Sequence, residues 1–374
     1  MTRAGDNPVG GAAAATARPV RLSVDAMGGD RGPSAVVDGM ARMAGANPDA
    51  RFLLHGDEAV LAPLVGRHGV LAGRVEIRHA AGVVSMEDKP SQVMRHGKGT
   101  SMWSALAAVR DGAADVAVSC GNTGALMALS MLVLRRLPGV PRPAIAILWP
   151  SRNPQGYNVM LDVGADVKAE AEDLRRFALM GTSYARNGLG IARPRIGLMN
   201  VGTEAHKGRP ELHEAAELIA ADAAAARFDY VGFVEGSDIP SEKVDVIVTD
   251  GFTGNVALKT AEGTATFIRS LLREAFTRTP PARLAALTAR GPLGWLARRI
   301  DPRRANGGVF LGLRGTVVKS HGSADRVGVA AALELACRLA RSDFSRKLAL
   351  RLQPSLAAEG AAGDREDEQE RGGA

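Results

Sequence analysis

VDVIVTDGFTGNVALKTAEG, Val244 to Gly263, carries the pattern that decides the fold: a short apolar run, a turn spaced by glycines, then a stretch with helical periodicity. Val246, Ile247 and Val248 suit a buried strand, Gly251 and Gly254 allow a tight turn, and the helix is expected to open near Asn255. Such a junction aims unpaired N–H groups and a positive helix end at one point, where an anion fits. The same geometry also recurs in α/β proteins with no ligand. An echo lies 130 residues earlier, where DVAVSCGNTGAL from Asp115 aligns without a gap with DVIVTDGFTGNV from Asp245. The shared positions are Asp115 and Asp245, Val116 and Val246, Val118 and Val248, Gly121 and Gly251, Thr123 and Thr253, Gly124 and Gly254. Two loops of one make are expected to face one cleft, at the carboxyl ends of neighbouring parallel strands.

With 374 residues, 46% of them apolar, the chain has ample core for one large α/β domain or two smaller ones. β-like runs alternating with Ala-rich helical segments predict the α/β class with a doubly wound, mostly parallel sheet. Aromatic residues make up 4%, too few for stacking on bases, so no nucleic-acid partner is expected. The formal charge is +7, and residues 359–374 alone carry −4, which leaves a basic body of +11. Such a body attracts acidic partners or simply keeps the protein soluble. Cys120 and Cys337 are too few for a disulfide scaffold or zinc ribbon, and no apolar run approaches the ~20 residues of a membrane span, so a cytoplasmic location is expected. Residues 1–19 are expected to be a disordered tail, 20–357 the folded α/β domain, and 358–374 a disordered acidic tail.

Around this frame several strand ends deliver polar groups. RLSVDAMGGDRGPSAVVDGM, from Arg21, predicts a strand, a turn at Gly28 and Gly29, and a helix opening near Pro33 and Ser34. Asp25 and Asp30 there would repel bare phosphate, so they orient donors, hold a basic residue or bind a cation. EDKPSQVMRHGKGTS, Glu87 to Ser101, is either a solvated loop or an electropositive lid that uses Lys89, Arg95 and Lys98. Asp162 either caps the turn after its strand or takes part in chemistry. NVGTEAHKG brings Lys207 to a strand end, where it would hold an anion or steady an oxyanion, and VVKSHGS brings His321. Between Thr264 and Arg304 the character turns helical, with Leu284, Leu287, Leu293, Trp295 and Leu296 set among arginines. That mixture suits a helical hairpin lying on an anionic bilayer, or packed on a second subunit. Walker A, GxGxxG, GxSxG, HExxH and CxxC patterns are missing, so no metal or cofactor is expected.

Taken in order, VDAMGGD, MEDKPSQVMR, GNTGAL, LDVGADV, NVGTEAHKG, TDGFTGNVALKTAEG and VVKSHGS resemble the phosphate acyltransferases of bacterial phospholipid synthesis, over about Arg21 to Leu339. The GVFLGL stretch, Gly308 to Leu313, departs from that pattern. The resemblance implies a Rossmann-like three-layer fold like that of phosphotransacetylases and isopropylmalate dehydrogenases, with a protruding hairpin at 265–304. It implies transfer of a long-chain fatty acyl group from acyl carrier protein to inorganic phosphate, making acyl-phosphate for glycerol-3-phosphate acyltransferase downstream. It also implies a homodimer associated peripherally with the membrane. Carried over residue by residue, it sets Lys207 and Asn255 at the reacting centre, and Asn122, Thr123, Gly124, Gly251, Thr253 and Gly254 in the phosphate cradle. Asp25 and Asp250 would orient these groups, while Lys89, Arg95, Lys98 and His321 would help hold phosphate or the phosphopantetheine arm. The alternatives are a short-chain phosphotransacetylase acting on acyl-CoA, a non-catalytic phosphate-binding membrane scaffold, and, more remotely, an oxidoreductase of related fold.

Overall fold

Runs of β-branched and aliphatic residues bounded by glycine or aspartate form the strands of the computed structural model, which describes residues 18–204, 206–299 and 307–352; the side chains of 295–299 lie outside that description. The first half holds β1 (Arg21–Asp25), α1 (Gly32–Ala46), β2 (Arg51–Gly56), α2 (Glu58–Gly66), β3 (Val75–His79), α3 (Pro90–His96), α4 (Ser101–Arg110), β4 (Val116–Ser119), α5 (Thr123–Val133), β5 (Ala144–Pro150) and β6 (Tyr157–Leu161). The second holds α6 (Ala171–Leu189), β7 (Arg195–Met199), α7 (Pro210–Ala226), β8 (Asp229–Val234), β9 (Val246–Val248), α8 (Gly251–Thr277), α9 (Pro280–Thr288), α10 (Arg290–Arg299), β10 (Gly308–Leu311), β11 (Thr316–Lys319) and α11 (Arg326–Arg341).

All the strands join one sheet, in the order β3-β2-β1-β4-β11-β10-β5-β6-β9-β7-β8. It is mostly parallel, as expected, but divided. β3, β2, β1, β4 and β11 form one parallel block, and β6, β9, β7 and β8 form another. Between them lies an antiparallel seam, in which β10 opposes both β11 and β5, and β5 opposes β6. The sheet is covered on both faces. Val116, Val118, Val246 and Val248 pack with Val36 of α1, Phe177 of α6 and Leu333 of α11. Ala117 and Ile247 face the other way, toward Leu106 of α4 and Leu126 of α5. Each such fully buried aliphatic side chain contributes about 1.5–3 kcal/mol at most.

The order corrects one expectation: β4 and β9 are not neighbours, because four strands stand between them. Three reversals of direction across the seam would also send their carboxyl ends to opposite edges of a flat sheet. Twist changes that. Five strand-to-strand steps at ~20–25° accumulate to roughly 100–125°, which swings the two sets of carboxyl ends toward each other.

The matched aspartates turn out to serve the sheet. Asp115 Oδ2 accepts the Arg21 N–H at 2.8 Å, and Asp245 Oδ2 accepts the Arg195 N–H at 2.9 Å. Each also donates its own N–H to the carbonyl of that same arginine. Each therefore ties the amino end of its strand to the next one, far from the carboxyl ends.

α8 is one helix of 27 residues, so the change of character expected at Thr264 is not a break. α9 opens with Pro280 in its first turn behind the Thr279 cap. Of the two expected tails, Arg18 pairs with Asp115 at 3.2 Å, whereas residues 1–17 and 358–374 lie outside the described residues. Among the described residues no helix is long and apolar enough to cross a membrane.

Candidate active site

The loop after β9 is built for packing. Asp250 caps α8, its Oδ1 accepting the Thr253 N–H at 2.7 Å while Oδ2 takes Arg209 at 2.6 Å. A Cβ added to Gly251 would lie 1.9 Å from the Asp166 carbonyl oxygen, and one on Gly254 would lie 1.9 Å from that of Asp162. These glycines let the first turn of α8 rest on the backbone of 162–166. A carboxylate of the chain itself, that of Asp250, stands at the helix end where the sequence expected an anion. Asp162 is resolved the same way. Its fully buried carboxylate accepts N–H groups of Ile145, Gly164, Ala165 and Asp166, although burial still pushes its pKa up.

Because α8 begins at Gly251, Asn255 falls in its second turn rather than at its start. Its side chain is exposed over Gly164, and its carboxamide bonds to no described residue. β7 lies beside β9, and the loop after β7 carries Lys207, 44% exposed and paired with Glu204 at 2.7 Å. That bond raises the Lys207 pKa. Asn200 shapes the loop by donating to the Lys207 carbonyl at 2.9 Å. The Arg209 bond to Asp250 ties the loop that carries Lys207 to the start of α8, the helix that carries Asn255, and these two elements form a first rim.

A second rim forms at the carboxyl ends of β1, β4 and β11. Asn122 caps α5 by accepting the Ala125 N–H, and its two amide hydrogens go to the carbonyls of Met86 and Asp88. Its donors are thus spent on docking the 86–89 segment, which brings Lys89 and α3 onto the start of α5. Thr123 and Gly124 are exposed in the first turn of α5, and Lys89, Arg95 and Lys98 are exposed nearby. Asp25 is buried, accepting from the Ser119 hydroxyl at 2.7 Å and the Met27 N–H at 3.3 Å. Burial pushes its carboxyl up against these bonds. His321 Nδ1 meets the Ser323 hydroxyl at 2.9 Å. Between His321 and β4 sits Lys319, only 8% exposed, its Nζ 3.4 Å from the Cys120 carbonyl and bonded also to that of Ser320.

α8 bridges the two rims. Asn255, Lys259 and Glu262 recur at helical spacing on one stripe, about 10 Å long at 1.5 Å per residue. Glu262 pairs with Lys259 at 2.9 Å and lies 3.9 Å from His321 Nε2. α8 thus reaches from the turn after β9 to His321 in the loop after β11, a strand that lies beside β4.

Comparisons with known proteins give the family and the fold. A family model described as "fatty acid synthesis protein" matches residues 20–347. A phosphate acyltransferase of Paracoccus denitrificans is 68% identical over 91% of this chain and 92% of its own length. The chain belongs to the phosphate acyltransferase family. A phosphate acyltransferase of a Ruegeria species is 67% identical over 91% of each chain. Among solved structures, phosphotransacetylases of Staphylococcus aureus and Streptococcus pyogenes superpose with a TM-score of 0.57 at 14% and 17% identity. They cover 87% and 86% of this chain and 95% and 94% of their own. At that identity the likeness is one of fold, and it places this phosphate acyltransferase family member on a phosphotransacetylase-like sheet.

Two residues of the rims were given no role from the sequence. Arg209 was hidden by the more prominent Lys207 two positions before it. Lys319 had a signal: a lysine directly ending the apolar run of β11. Among the described residues no group of three His, Cys, Asp or Glu side chains is placed to hold a metal. Trp295 and Leu296, named as membrane anchors, have side chains outside the described residues; Leu284 and Leu287 are exposed and Leu293 is half-buried.

Proposed function

We propose that the chain transfers a long-chain fatty acyl group from the thioester of acyl carrier protein to inorganic phosphate. The observation that carries this is the 68% identity, over nine-tenths of both chains, to a protein named phosphate acyltransferase. A phosphate oxygen attacks the thioester carbon, the carbonyl oxygen becomes an oxyanion, and the tetrahedral intermediate collapses to acyl-phosphate and the carrier's thiolate, which takes a proton. No enzyme nucleophile is needed, so the protein's work is positioning and charge stabilisation. Asn255 suits donation to the oxyanion, since its carboxamide is exposed with no partner among the described residues. Lys207 supplies positive charge on the same rim. Cys120 is left out of the chemistry: it is buried, and burial pushes its thiol up, away from the reactive thiolate.

Acyl carrier protein is acidic, and the basic body complements it. The exposed apolar residues of α8, Phe267, Ile268 and Leu271, support a second copy of the chain covering that helix. Leu284 and Leu287 of α9, 65% and 58% exposed beside Arg283 and Arg290, support peripheral attachment to an anionic bilayer. The acyl-phosphate would then pass to a glycerol-3-phosphate acyltransferase.

The test is acyl-phosphate formation from long-chain acyl carrier protein and phosphate. Folded Lys207→Ala and Asn255→Ala chains are expected to lose about 10²-fold or more in kcat. Undiminished turnover would sink the site. A preference for short-chain acyl-CoA would move the activity to the phosphotransacetylase alternative, and absence of turnover in the unaltered chain would leave a scaffold.

A further inference from the structure

Lys319 differs in kind from Lys207. Lys207 is 44% exposed and already paired with a carboxylate, whereas Lys319 is 8% exposed and has, among the described residues, only the carbonyls of Cys120 and Ser320 as partners. No carboxylate of the described residues lies within ion-pair distance of its Nζ. Its opposing charges, Asp30 and Asp25, act only from beyond that distance, and an ammonium taken out of water with no close counter-ion is costly, so such a group suits a place where a charge arrives from outside. The surroundings suit an anion. The Cys120 carbonyl that Lys319 contacts opens the turn into α5, whose first two N–H groups, those of Thr123 and Gly124, take no hydrogen bond among the described residues. Unlike Asp250 at α8, the cap of α5 is a neutral asparagine. Lys259 faces Lys319 from α8 closely enough for its charge to be felt, and His321 stands at the end of the same strand.

Resting on the acyl-transfer function above, we propose that Lys319, with Lys259, His321 and the start of α5, forms the seat of the attacking inorganic phosphate. Lys207 and Asn255 then serve the thioester side of the stripe on α8. The groups that act on Lys319 are Asp25 from β1, Asp30 before α1, Cys120 after β4 and Lys259 from α8. Asp25 spends its carboxylate on the Ser119 hydroxyl and the Met27 N–H. Burial lowers the Lys319 pKa to about 8, so the seat is expected to lose its charge as pH rises through that value. A phosphate group is the ligand class that meets these groups, and it has two sources here: free phosphate, which can carry two negative charges, and the singly charged phosphodiester of the carrier's phosphopantetheine arm.

Steady-state acyl transfer by the full chain separates them. Lys319→Met is expected to raise the KM for inorganic phosphate at least tenfold while the KM for acyl carrier protein changes less than twofold. A rise confined to the acyl carrier protein KM assigns the seat to the arm and overturns the proposal, as does an unchanged phosphate KM in a folded variant. Calorimetric titration of the unaltered chain with inorganic phosphate gives a test that needs no variant: the Kd should weaken at least tenfold between pH 7.5 and 9.5. A Kd that stays constant across that range overturns the seat. If the unaltered chain makes no acyl-phosphate yet binds phosphate in this Lys319-dependent and pH-dependent way, the acyl-transfer function fails and the seat stands.

Discussion

Two glycines of α8 give opposite expectations for the same substitution. In Gly254→Ala the new Cβ would lie 1.9 Å from the Asp162 carbonyl oxygen, more than an ångström inside contact distance. The obstacle is backbone held by the buried Asp162 carboxylate, not the free end of a side chain, so α8 itself must move by about 1 Å. Overpacking of this kind costs about 1–3 kcal/mol. A shift of that size at Asn255, one residue on, is expected to lower kcat by about 10²-fold. In Gly263→Ala, two turns further along, nothing lies within 4 Å of the new Cβ. There alanine gains about 0.5–1 kcal/mol through helix propensity. Urea unfolding gives both stabilities, and acyl-phosphate formation gives kcat. If Gly254→Ala is as stable and as active as the unaltered chain, α8 is not seated on the 162–166 backbone and the account of the site is wrong.

A buried polar chain under β1 predicts acid sensitivity. Ser23 donates to the Ala105 carbonyl and so accepts from His55 Nε2 at 2.9 Å, while His55 Nδ1 lies 2.8 Å from the Ser104 hydroxyl, which donates to it when the ring is neutral. Burial, helped by Arg78, lowers its pKa from 6.5 to about 4. The unfolded chain therefore binds the proton first, and stability falls as pH drops from about 6.5 toward 4, by about 3 kcal/mol from this group. Urea midpoints at pH 7 and 4.5 for the unaltered chain and His55→Asn check it; parallel losses in the two would refute it. On the surface, the double change Leu284→Asp and Leu287→Asp should weaken co-sedimentation with anionic vesicles at least a hundredfold, since each leucine can bury about 1.5–3 kcal/mol. Binding that stays within twofold removes α9 from the membrane contact, and a sedimentation mass of one chain at micromolar concentration removes the second copy from α8.

Local order was legible in the sequence because it depends on near neighbours. The VDVIV and DVAVS runs, their glycine turns and the helices after them follow from apolar alternation and breaker residues. Strand order did not follow, because β11 reaches its place beside β4 only by pairing across 200 residues, and no local signal marks an insertion. The Asp250 turn was only half legible for a different reason: a helix cap and an anion loop use the same glycine, threonine and aspartate types, and the carbonyl oxygens that leave no room for a Cβ at Gly251 and Gly254 come from a distant part of the chain. Lys319 was passed over because burial, not identity, makes it unusual.

The place of β10 and β11 has a consequence for the protein while it is being made. β4 and β5 leave the ribosome long before the hairpin that fills the gap between them. At about 5–20 residues per second, the wait from the end of β5 to the end of β11 is roughly ten to thirty seconds. Throughout it the nascent chain carries two bare strand edges in its middle, each able to pair with a neighbouring polypeptide on the same messenger. What shields those edges until residue 319 emerges therefore bears on how much of the chain reaches its fold.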